Sequence, residues 1–558
     1  MQIIIPMSGF GERFRKAGYA VPKPMIPVDG KPIVAHVVDM FPGESDFLFI
    51  CNQDHLDNPE YAIRETLTKY CPTGTVVGIP PHKLGPVYAA WCVADLIRRD
   101  VPVVLNYCDF TCYWDWEEFK KFTAETACDG AIPSYRYFHP HLLGSTYYAY
   151  QQEADGWVQA IQEKQPYTST PMNEYASSGT YYFRTGQKML DYVQRTMERD
   201  DLKVNGEYYA SMVYRPMLED GQRIAVYDLQ HFMQWGTPHD LAEYVRWSNV
   251  FAALVDSKFA AHAVTPGPGS VVVPMAGLGQ RFADRGWTTV KPLIPVSGKP
   301  MVVQAASDMP AADQHVFVLR QDLPGLAEIQ AGILQAFPHA GFVVLEKLTD
   351  GQARTALAGV EHVDPTKPVT IGACDNGMLY DRTAYSKLLA DHETDVIVWV
   401  MRGHPGAVRN PQQYGWVEEI DGLVKAVSVK VPLGNPLTDP SIIGTFTFKR
   451  ASDYTRATDR MIARGARVNN EFYIDMAIND AVALGLRCRI LEVDHYIGWG
   501  TPDDLLTFEY WQSCFDKWDT HPYKLELDSR VDPSAIPELR EKYRKCVPSL
   551  PDPPVGAA

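Results

Sequence analysis

The sequence predicts an α/β fold in two tandem copies, and three observations lead to this expectation. Apolar strands alternate with helical stretches through the first hundred residues or so. A strand followed at once by a glycine-rich turn opens the chain, and the same phrase returns near Val273. Later landmarks of the first copy recur at an offset that drifts only from 268 to 264 residues. A repeat of this length is a whole domain rather than one turn of a solenoid.

The elements of the first copy follow a strand–helix–strand rhythm. Strands are predicted at 2–6, 47–51, 75–79 and 101–105, with helices near 32–41, 59–70 and 87–98 between them. This alternation is typical of a largely parallel sheet with helices on both faces. Beyond Asp109 the strands become shorter, at 144–151 and 178–183, which suggests an antiparallel part that could close over a second substrate.

Chain length and composition bound the domain organisation and the partners. The 558 residues suggest two to four domains, predicted as 1–256 and 270–518. A Pro/Gly-rich linker is expected at 257–269, and an arm or loosely held tail at 519–558. The net charge of −16 argues against nucleic acid or an anionic membrane as a partner. An anionic ligand must therefore be held by a local cluster of Arg and Lys.

The cysteines and the start of the chain bear on its location. Ten cysteines occur without CxxC pairs, which favours reduced, mostly buried thiols over a zinc site. A strand begins at the second residue, so a cleavable leader is not expected. No apolar run is long enough to cross a bilayer. We expect a soluble, cytoplasmic protein, and its oligomeric state is left open, a homo-oligomer included.

The glycine-rich turn predicts a phosphate-binding loop. Ser8, Gly9 and Gly11 follow the first strand, and glycines can adopt a positive φ that brings backbone N–H groups close to an anion. Arg13 and Lys23 come shortly afterwards. The second copy repeats the pattern with Gly277, Gly279, Arg281 and Lys291. A single glycine pair would be weak support, but repetition of the whole phrase is not chance.

An aspartate at a strand end is the predicted metal ligand of each copy. Asp109 follows the apolar strand at 101–105, and Asp375 repeats it beside a matching cysteine. A carboxylate at the carboxyl edge of a sheet is suited to a Mg²⁺ ion that bridges phosphate oxygens. Either aspartate could instead be a helix N-cap or a turn residue.

Taken together, these motifs resemble a known family. The order of glycine loop, arginine, Lys-Pro, aspartate and later lysine resembles the nucleotidyltransferases that make nucleotide-activated sugars. The wide gap between Arg13 and Lys23 is similar to that of members from capsule and surface-polysaccharide pathways. The resemblance implies two tandem Rossmann-like (GT-A-type) domains with mixed, mostly parallel sheets. It also implies that the loop, Arg13 and Lys23 hold the triphosphate of an NTP, with Mg²⁺ as cofactor.

The resemblance extends to a second lysine in each copy. Lys164 follows Glu163, as in the family's Glu-Lys pair that grips the phosphate of the acceptor substrate. Lys430 stands at the corresponding place but follows Val429, so the second copy departs there. A solvated charge on a strand edge is the alternative interpretation of such a lysine.

Four further glycines are expected to contact the nucleotide. Gly85 and Gly351 mark the loop that should meet the base, and their different surroundings allow the two copies to select different nucleotides. Gly179 and Gly444 are also assigned to the nucleotide site.

A second departure concerns the metal. Family members often carry another aspartate just before a late Gly-Thr pair, where this chain has Gln234 and Gly498. Glu207 and Glu471 are candidate substitutes, although a structural role is the first expectation for both. The stretch from Thr237 is expected to be a helix start, with Pro in the first turn.

The expected reaction joins an NTP to a sugar phosphate or similar small phosphorylated metabolite and releases pyrophosphate. The acceptor phosphate is already ionised, so the site must supply alignment and charge cancellation rather than a general base. The alternatives are one active copy beside a degenerate one, or a non-catalytic nucleotide sensor or scaffold. A glycosyltransferase ranks lower, because neither Asp109 nor Asp375 lies in a DxD motif.

Overall fold

The structure is a computed structural model that describes residues 1–144, 147–259, 267–277 and 279–544. Two compact units are present. Unit 1 comprises residues 1–249, 513–521 and 542–544, and unit 2 comprises 250–512 and 522–541. Leu278 of the second glycine loop, 260–266 of the predicted linker and 545–558 of the predicted tail lie outside the described residues. The described part of that tail, 519–544, includes a helix at Ile536–Arg544.

The secondary structure of unit 1 follows the predicted rhythm closely in its first hundred residues. Its strands are β1 Gln2–Met7, β2 Pro27–Val28, β3 Lys31–Pro32, β4 Asp46–Asn52, β5 Thr75–Ile79, β6 Val103–Asn106, β7 Phe110–Tyr113, β8 Gly130–Tyr135, β9 Ala149–Ala154, β10 Trp157–Glu163, β11 Tyr175–Ser177, β12 Thr180–Phe183, β13 Ile224–Asp228 and β14 His231–Gln234. Its helices are α1 Glu12–Lys16, α2 Ile33–Asp39, α3 Gln53–Asp57, α4 Ile63–Tyr70, α5 Pro86–Cys92, α6 Trp116–Thr126, α7 Gly186–Met197, α8 Tyr214–Glu219 and α9 Pro238–Leu254, whose last turns belong to unit 2.

Strands β1 and β6 consist mainly of apolar residues, and every residue of either strand is buried, as is typical of a parallel sheet covered on both faces. The main sheet has the strand order β11-β9-β10-β13-β8-β12-β6-β1-β4-β5. Strands β5, β4, β1 and β6 are mutually parallel. The core packs Ile4 and Leu48 of this sheet against Val87 and Ala90 of α5.

Unit 2 repeats this plan. Its strands are β15 Gly267–Pro274, β16 Pro295–Val296, β17 Lys299–Pro300, β18 Ala312–Arg320, β19 Gly341–Leu345, β20 Val369–Ile371, β21 Asn376–Leu379, β22 Val396–Met401, β23 Gly415–Ile420, β24 Leu423–Val429, β25 Ser441–Phe448, β26 Cys488–Glu492 and β27 His495–Gly498. Its helices are α10 Gln280–Asp284, α11 Met301–Asp308, α12 Leu326–Ala336, α13 Gln352–Val360, α14 Arg382–Ala390, α15 Pro405–Arg409, α16 Ala451–Ala463, α17 Ile474–Ala483, α18 Pro502–Lys517, whose end belongs to unit 1, and α19 Ile536–Arg544.

The sheet of unit 2 has the order β23-β24-β26-β22-β25-β20-β15-β18-β19. Read in the same direction, it matches the sheet of unit 1 strand for strand, with β25 in the place of both β11 and β12. The α/β fold with mixed sheets was therefore predicted correctly. The sheets are not mostly parallel, however, because antiparallel pairs outnumber parallel ones in each, and they include hairpins such as β9–β10 and β23–β24. Strands joined by so short a turn can pair only in antiparallel fashion.

No helix in the described ranges is long and apolar enough to cross a membrane.

Candidate active site

The topology of unit 1 places two predicted elements at one crevice. The chain runs outward from β1 through β4 to β5 and then returns to the other side of β1 as β6. Connections therefore leave β1 and β6 in opposite directions, which opens a crevice outside the carboxyl ends of these two strands. The glycine loop follows β1 directly, and Asp109 comes three residues after the end of β6. Loop and carboxylate consequently face each other.

A single cleft of about 580 Å³ lies at this crevice. Every site residue that the sequence predicted for the first copy lines it, namely Ser8, Gly9, Gly11, Arg13, Lys23, Gly85, Asp109, Lys164 and Gly179. The structure thus brings together residues that are up to 171 positions apart in the chain. Their individual roles remain predictions.

The glycine loop is anchored on one side and open on the other. Gly11 has a φ of 61° and stands at the start of α1. No described atom would lie within 4 Å of a Cβ placed on Gly9, so this part of the loop faces open space. The Asn52 side chain donates to the Ser8 carbonyl oxygen at 3.4 Å, and His82 Nε2 lies 3.2 Å from Ser8 Oγ. These contacts fix the loop while its open side stays free for an anion.

Two cations accompany the loop. The Arg13 side chain is exposed, and its guanidinium lies 5.3 Å from the centre of the Tyr147 ring. Lys23 Nζ donates to Asp109 Oδ2 at 2.7 Å. Burial lowers the pKa of Lys23, but the Asp109 carboxylate and the neighbouring Cys108 raise it by more, so the net shift is upward. The ammonium group therefore stays charged, as a phosphate ligand requires.

Asp109 is not a helix N-cap, because the strand β7 follows it directly. Its backbone carbonyl accepts a hydrogen bond from the Trp235 N–H at 3.0 Å, which ties the late Gly-Thr segment to the aspartate. Asp109 Oδ2 and Gln234 Nε2 lie 3.1 and 2.9 Å from the point where a Cβ on Gly236 would stand. A glycine at that position lets the backbone pass close to the carboxylate.

The oxygen ligands near Asp109 suit a magnesium ion that is shared with substrate. The described residues contain no group of three or more His, Cys, Asp or Glu side chains that could hold a metal by themselves. Mg²⁺ usually takes only one or two carboxylates from a protein and completes its shell with phosphate oxygens and water. Asp109 offers such a carboxylate, and the Gln234 amide and Glu207 line the same cleft. The residues present therefore fit this mode of binding.

Lys164 is held against an aromatic ring instead of extending into solvent. Its Nζ donates to the Tyr209 hydroxyl and lies 4.0 Å from the centre of that ring. Its backbone has a φ of 60°, the left-handed region that a side chain other than that of Gly, Asn or Asp rarely adopts. Burial lowers the pKa of this lysine. The interpretation as a solvated edge charge is therefore wrong for Lys164.

Glu163 stands beside Lys164 at the wall of the cleft. The Ser211 hydroxyl donates to Glu163 Oε2 at 2.6 Å. Burial raises the pKa of this carboxyl to about 7, although Ser211 and the Lys164 ammonium both favour the charged form. The group can therefore change its charge near neutral pH.

Unit 2 repeats the cation–carboxylate pair. Lys291 Nζ donates to Asp375 Oδ2 at 2.5 Å and to the Gly500 carbonyl oxygen at 3.1 Å. The Trp499 N–H donates to the Asp375 carbonyl oxygen at 2.9 Å. Asp375 is followed by the strand β21 and is likewise no helix N-cap.

The glycine loop of unit 2 also keeps the geometry of unit 1 in its described residues. Gly279 has a φ of 65°, and no described atom would meet a Cβ on Gly277 within 4 Å. Arg281 is exposed beside them. The Arg320 side chain donates to the Ala276 carbonyl oxygen at 3.1 Å and so takes the place that Asn52 has in unit 1.

The second lysine of unit 2 has the same strained backbone as its counterpart. Lys430 has a φ of 61°, and its Nζ lies 4.9 Å from the centre of the Tyr473 ring. Gly444, with a φ of 78°, lies close to Ala373, next to the Asp375 turn.

The two glycines predicted to meet the base have a clear local role. A Cβ on Gly85 would stand 2.6 Å from the Tyr208 carbonyl oxygen, and one on Gly351 would collide with the Phe472 backbone. These glycines allow the loop before α5 or α13 to pass directly over another backbone segment. A contact with the base remains a prediction for both.

Comparison with known proteins agrees with this geometry for unit 1. The sequence model of the nucleotidyl transferase family matches residues 2–246. The match covers less than half of the chain and lies within unit 1, which is therefore similar to the nucleotidyl transferase family.

The chain is also similar to individual proteins. A UTP–glucose-1-phosphate uridylyltransferase of Komagataeibacter xylinus is 27% identical over 125 residues, which cover 18% of this chain and 43% of that protein. The chain thus spans less than half the length of this curated relative. Among solved structures, a nucleoside-diphosphate-sugar pyrophosphorylase from Vibrio cholerae RC9 has 20% identity and a TM-score of 0.36, covering 43% of this chain and 98% of its own. The inositol-1-phosphate CTP transferase from T. maritima has 12% identity and a TM-score of 0.34, covering 43% and 96%.

Several residues of the cleft in unit 1 were missed by sequence reasoning. Tyr209 contacts Lys164, and the sequence carries a signal for it, because Tyr209 follows Glu207 by two residues just as Tyr473 follows Glu471. His82 and Tyr107 also line the cleft. His82 has Leu348 as its counterpart in unit 2, so repetition gave no signal for it.

Proposed function

We propose that the chain transfers a nucleotidyl group from an NTP to the phosphate of a sugar phosphate or a similar small phosphorylated metabolite, with Mg²⁺ and with release of pyrophosphate. The observation that carries this proposal is the single cleft of unit 1, in which loop, Arg13, Lys23, Asp109 and Lys164 converge. A role in surface-polysaccharide precursor synthesis is part of the proposal and rests on the wide spacing between Arg13 and Lys23.

The chemistry needs two anions brought together. An oxygen of the acceptor phosphate forms a bond to the α-phosphorus of the NTP, and the bond between that phosphorus and the β-phosphate oxygen breaks to release pyrophosphate. The glycine loop, Arg13 and Lys23 would hold the triphosphate, and Lys164 would hold the acceptor phosphate from the opposite side. When bound, Mg²⁺ neutralises charge on the phosphate oxygens, and Asp109 would be its protein ligand.

Lys23 has a further part in this scheme. In the described structure it neutralises Asp109 at 2.7 Å. In a complex with the NTP, the Asp109 carboxylate would be a ligand of the cation and the Lys23 ammonium would hold a phosphate oxygen. Each charged group would then have a partner of the same sign as before, so neither charge is left unpaired in this partly buried site.

The test measures pyrophosphate release from the full chain for a matrix of NTPs and phosphorylated acceptors. We expect Asp109→Ala combined with Asp375→Ala to abolish release, because both predicted cation ligands are removed. Glu65→Ala, an exposed change on α4, is the control and should have no effect. Unchanged release in the double variant would refute the assigned role.

A second candidate is one active unit beside a degenerate one. The observation that favours it is Gly498, which leaves unit 2 without any side chain where unit 1 has Gln234. Lys23→Ala and Lys291→Ala distinguish the two schemes. Two working sites predict that each change removes part of the activity or a different activity, whereas a degenerate unit 2 predicts that only Lys23→Ala matters. Tight NTP binding without pyrophosphate release for any acceptor would point to a sensor or scaffold instead.

A further inference from the structure

A carboxylate stands beside the second lysine in both units, but it comes from different elements. In unit 1 it is Glu163, at the end of strand β10, hydrogen-bonded to Ser211. The same strand position in unit 2 is the buried Val429, at the end of β24. The residue at the position of Ser211 is Asp475, in the first turn of α17. Unit 2 thus has Asp475 where unit 1 has Ser211, and Val429 where unit 1 has Glu163.

A third position changes with these two. Glu163 lies opposite Ala149 in the β9–β10 pair, and Val429 lies opposite Gly415 in the β23–β24 pair. A Cβ on Gly415 would collide with Asp475 Oδ2, at a separation that no real contact shows. The loss of the alanine methyl group therefore makes the space that the incoming carboxylate occupies. One change, the move of the carboxylate from the strand to the helix, therefore explains the differences at all three positions, Gly415, Val429 and Asp475.

The relocated carboxylate lies near Lys430. Asp475 follows Tyr473 by two residues, and Lys430 Nζ lies over the Tyr473 ring. Burial raises the pKa of Asp475 to about 6, and the Lys430 ammonium opposes that shift. Unit 2 therefore keeps the pairing of a carboxylate with a lysine in the left-handed conformation.

We propose that Asp475 is the acceptor-binding carboxylate of unit 2, so that unit 2 has its own acceptor site for a phosphorylated polyhydroxy compound. The inference rests on the proposed function and extends it. The Lys430 ammonium would take the phosphate, and the Asp475 carboxylate would accept a hydrogen bond from a hydroxyl group of the same compound. Because this carboxylate approaches from a helix and not from the strand, it meets the acceptor at another point, and the two units select different acceptors.

The test uses the full chain with Asp109→Ala, so that unit 1 is silent. Glucose 1-phosphate and inositol 1-phosphate, which occur in the names of the relatives above, serve as probes, each with several NTPs. We expect Asp475→Asn to raise the KM for the preferred acceptor at least tenfold and to leave the KM for the NTP within about twofold. A variant that merely loosened the fold would raise both.

A transplanted variant provides the matched control. Val429→Glu, Gly415→Ala and Asp475→Ser together rebuild the arrangement of unit 1 within unit 2. We expect this triple variant to bind an acceptor again, with the preference of unit 1. An acceptor KM unchanged by Asp475→Asn, or by all three substitutions together, would overturn the proposal.

Acceptor binding measured by calorimetry separates this inference from the proposed function. One outcome is that the acceptor binds, that Asp475→Asn weakens this binding, and that no NTP gives pyrophosphate release. This outcome would refute the proposed reaction for unit 2 but would support the inference about Asp475. Absence of any Asp475-dependent binding of either phosphate would overturn the inference itself. Far-UV circular dichroism of each variant excludes loss of folding as the cause.

Discussion

The buried carboxyl group of Glu163 predicts a stability that depends on pH in a known direction. The ordinary pKa of a glutamate side chain is 4.5, and burial raises the pKa of Glu163 to about 7 in the folded protein. The folded state therefore binds a proton that the unfolded state has already lost between these two pH values. Stability from this group is fully present below about pH 4.5 and is lost as pH rises to about 7. Each pKa unit corresponds to about 1.4 kcal/mol, so the free energy of unfolding that is lost is about 3 kcal/mol.

Glu163→Gln should remove this penalty. A glutamine keeps the shape and can still accept the hydrogen bond that the Ser211 hydroxyl donates, but it carries no charge to bury. We expect the variant to match the wild type near pH 4.5 and to be more stable by up to about 3 kcal/mol above pH 7. At the same high pH it should bind the acceptor less well, since the charged carboxylate is lost.

Urea unfolding followed by tryptophan fluorescence, at intervals between pH 4.5 and 8.5, measures the effect. Because a chain with two units need not unfold in one step, the quantity to compare is the midpoint of each resolved transition. Glu65→Gln, at an exposed position on α4, is the control and should show no growing difference. A Glu163→Gln effect that is constant with pH, or that falls as pH rises, would refute the reasoning.

Three further predictions follow from the geometry of unit 1. Gly85→Ala should destabilise the protein by clearly more than Gly30→Ala. Both glycines have a φ near 85°, but only a Cβ at position 85 would meet backbone atoms. Equal unfolding midpoints of the two variants would contradict this expectation. Lys164→Met should raise the KM for the acceptor at least tenfold, about 1.4 kcal/mol, and leave the NTP nearly unaffected; an equal rise in both would place the lysine elsewhere. Gly236→Ala should raise the Mg²⁺ concentration needed for half-maximal activity, because its Cβ would stand 3.1 Å from Asp109 Oδ2; an unchanged titration would speak against Asp109 as the ligand.

Most of the site could be predicted from the motif that the two copies share, which consists of the glycine loop, the arginine, the Lys-Pro pair and the aspartate. Gly11 and Asp109 are found in one cleft because each follows a strand whose apolar run is visible in the sequence, and because the carboxyl ends of the parallel strands β1 and β6 meet at one edge. Lys164 lines the same cleft from the end of the antiparallel β9–β10 hairpin. The position of Lys164 could be predicted, but its left-handed backbone could not. That conformation depends on the Tyr148 carbonyl, which accepts from its N–H at 2.8 Å across the hairpin.

An antiparallel part with strands at 144–151 and 178–183 was predicted, and the second of these strands is β12, but the order of the strands in the second half of each sheet could not be predicted from local sequence. Strand β8, Gly130–Tyr135, is buried throughout but contains a proline, so its pattern does not indicate a central strand. Strand β12 lies between β6 and β8 in the sheet. Local sequence does not indicate that β12 pairs with strands so far away in the chain. The carboxylate exchange between Glu163 and Asp475 was missed for the same reason. Val429 alone looked like a loss, and the compensating aspartate lies 46 positions later.

The strained lysines give an argument about whether unit 2 still works. A non-glycine residue with a φ near 60° costs on the order of 1 kcal/mol or more, and glycine or asparagine at the same place would relieve that cost. Lys164 and Lys430 both keep this conformation, at 60° and 61°, with an aromatic ring under the ammonium. A purely structural turn has no use for a lysine here. Strain that is retained in both units, while the acid beside it has moved from Glu163 to Asp475, supports two sites that bind an anion and differ in what else they recognise.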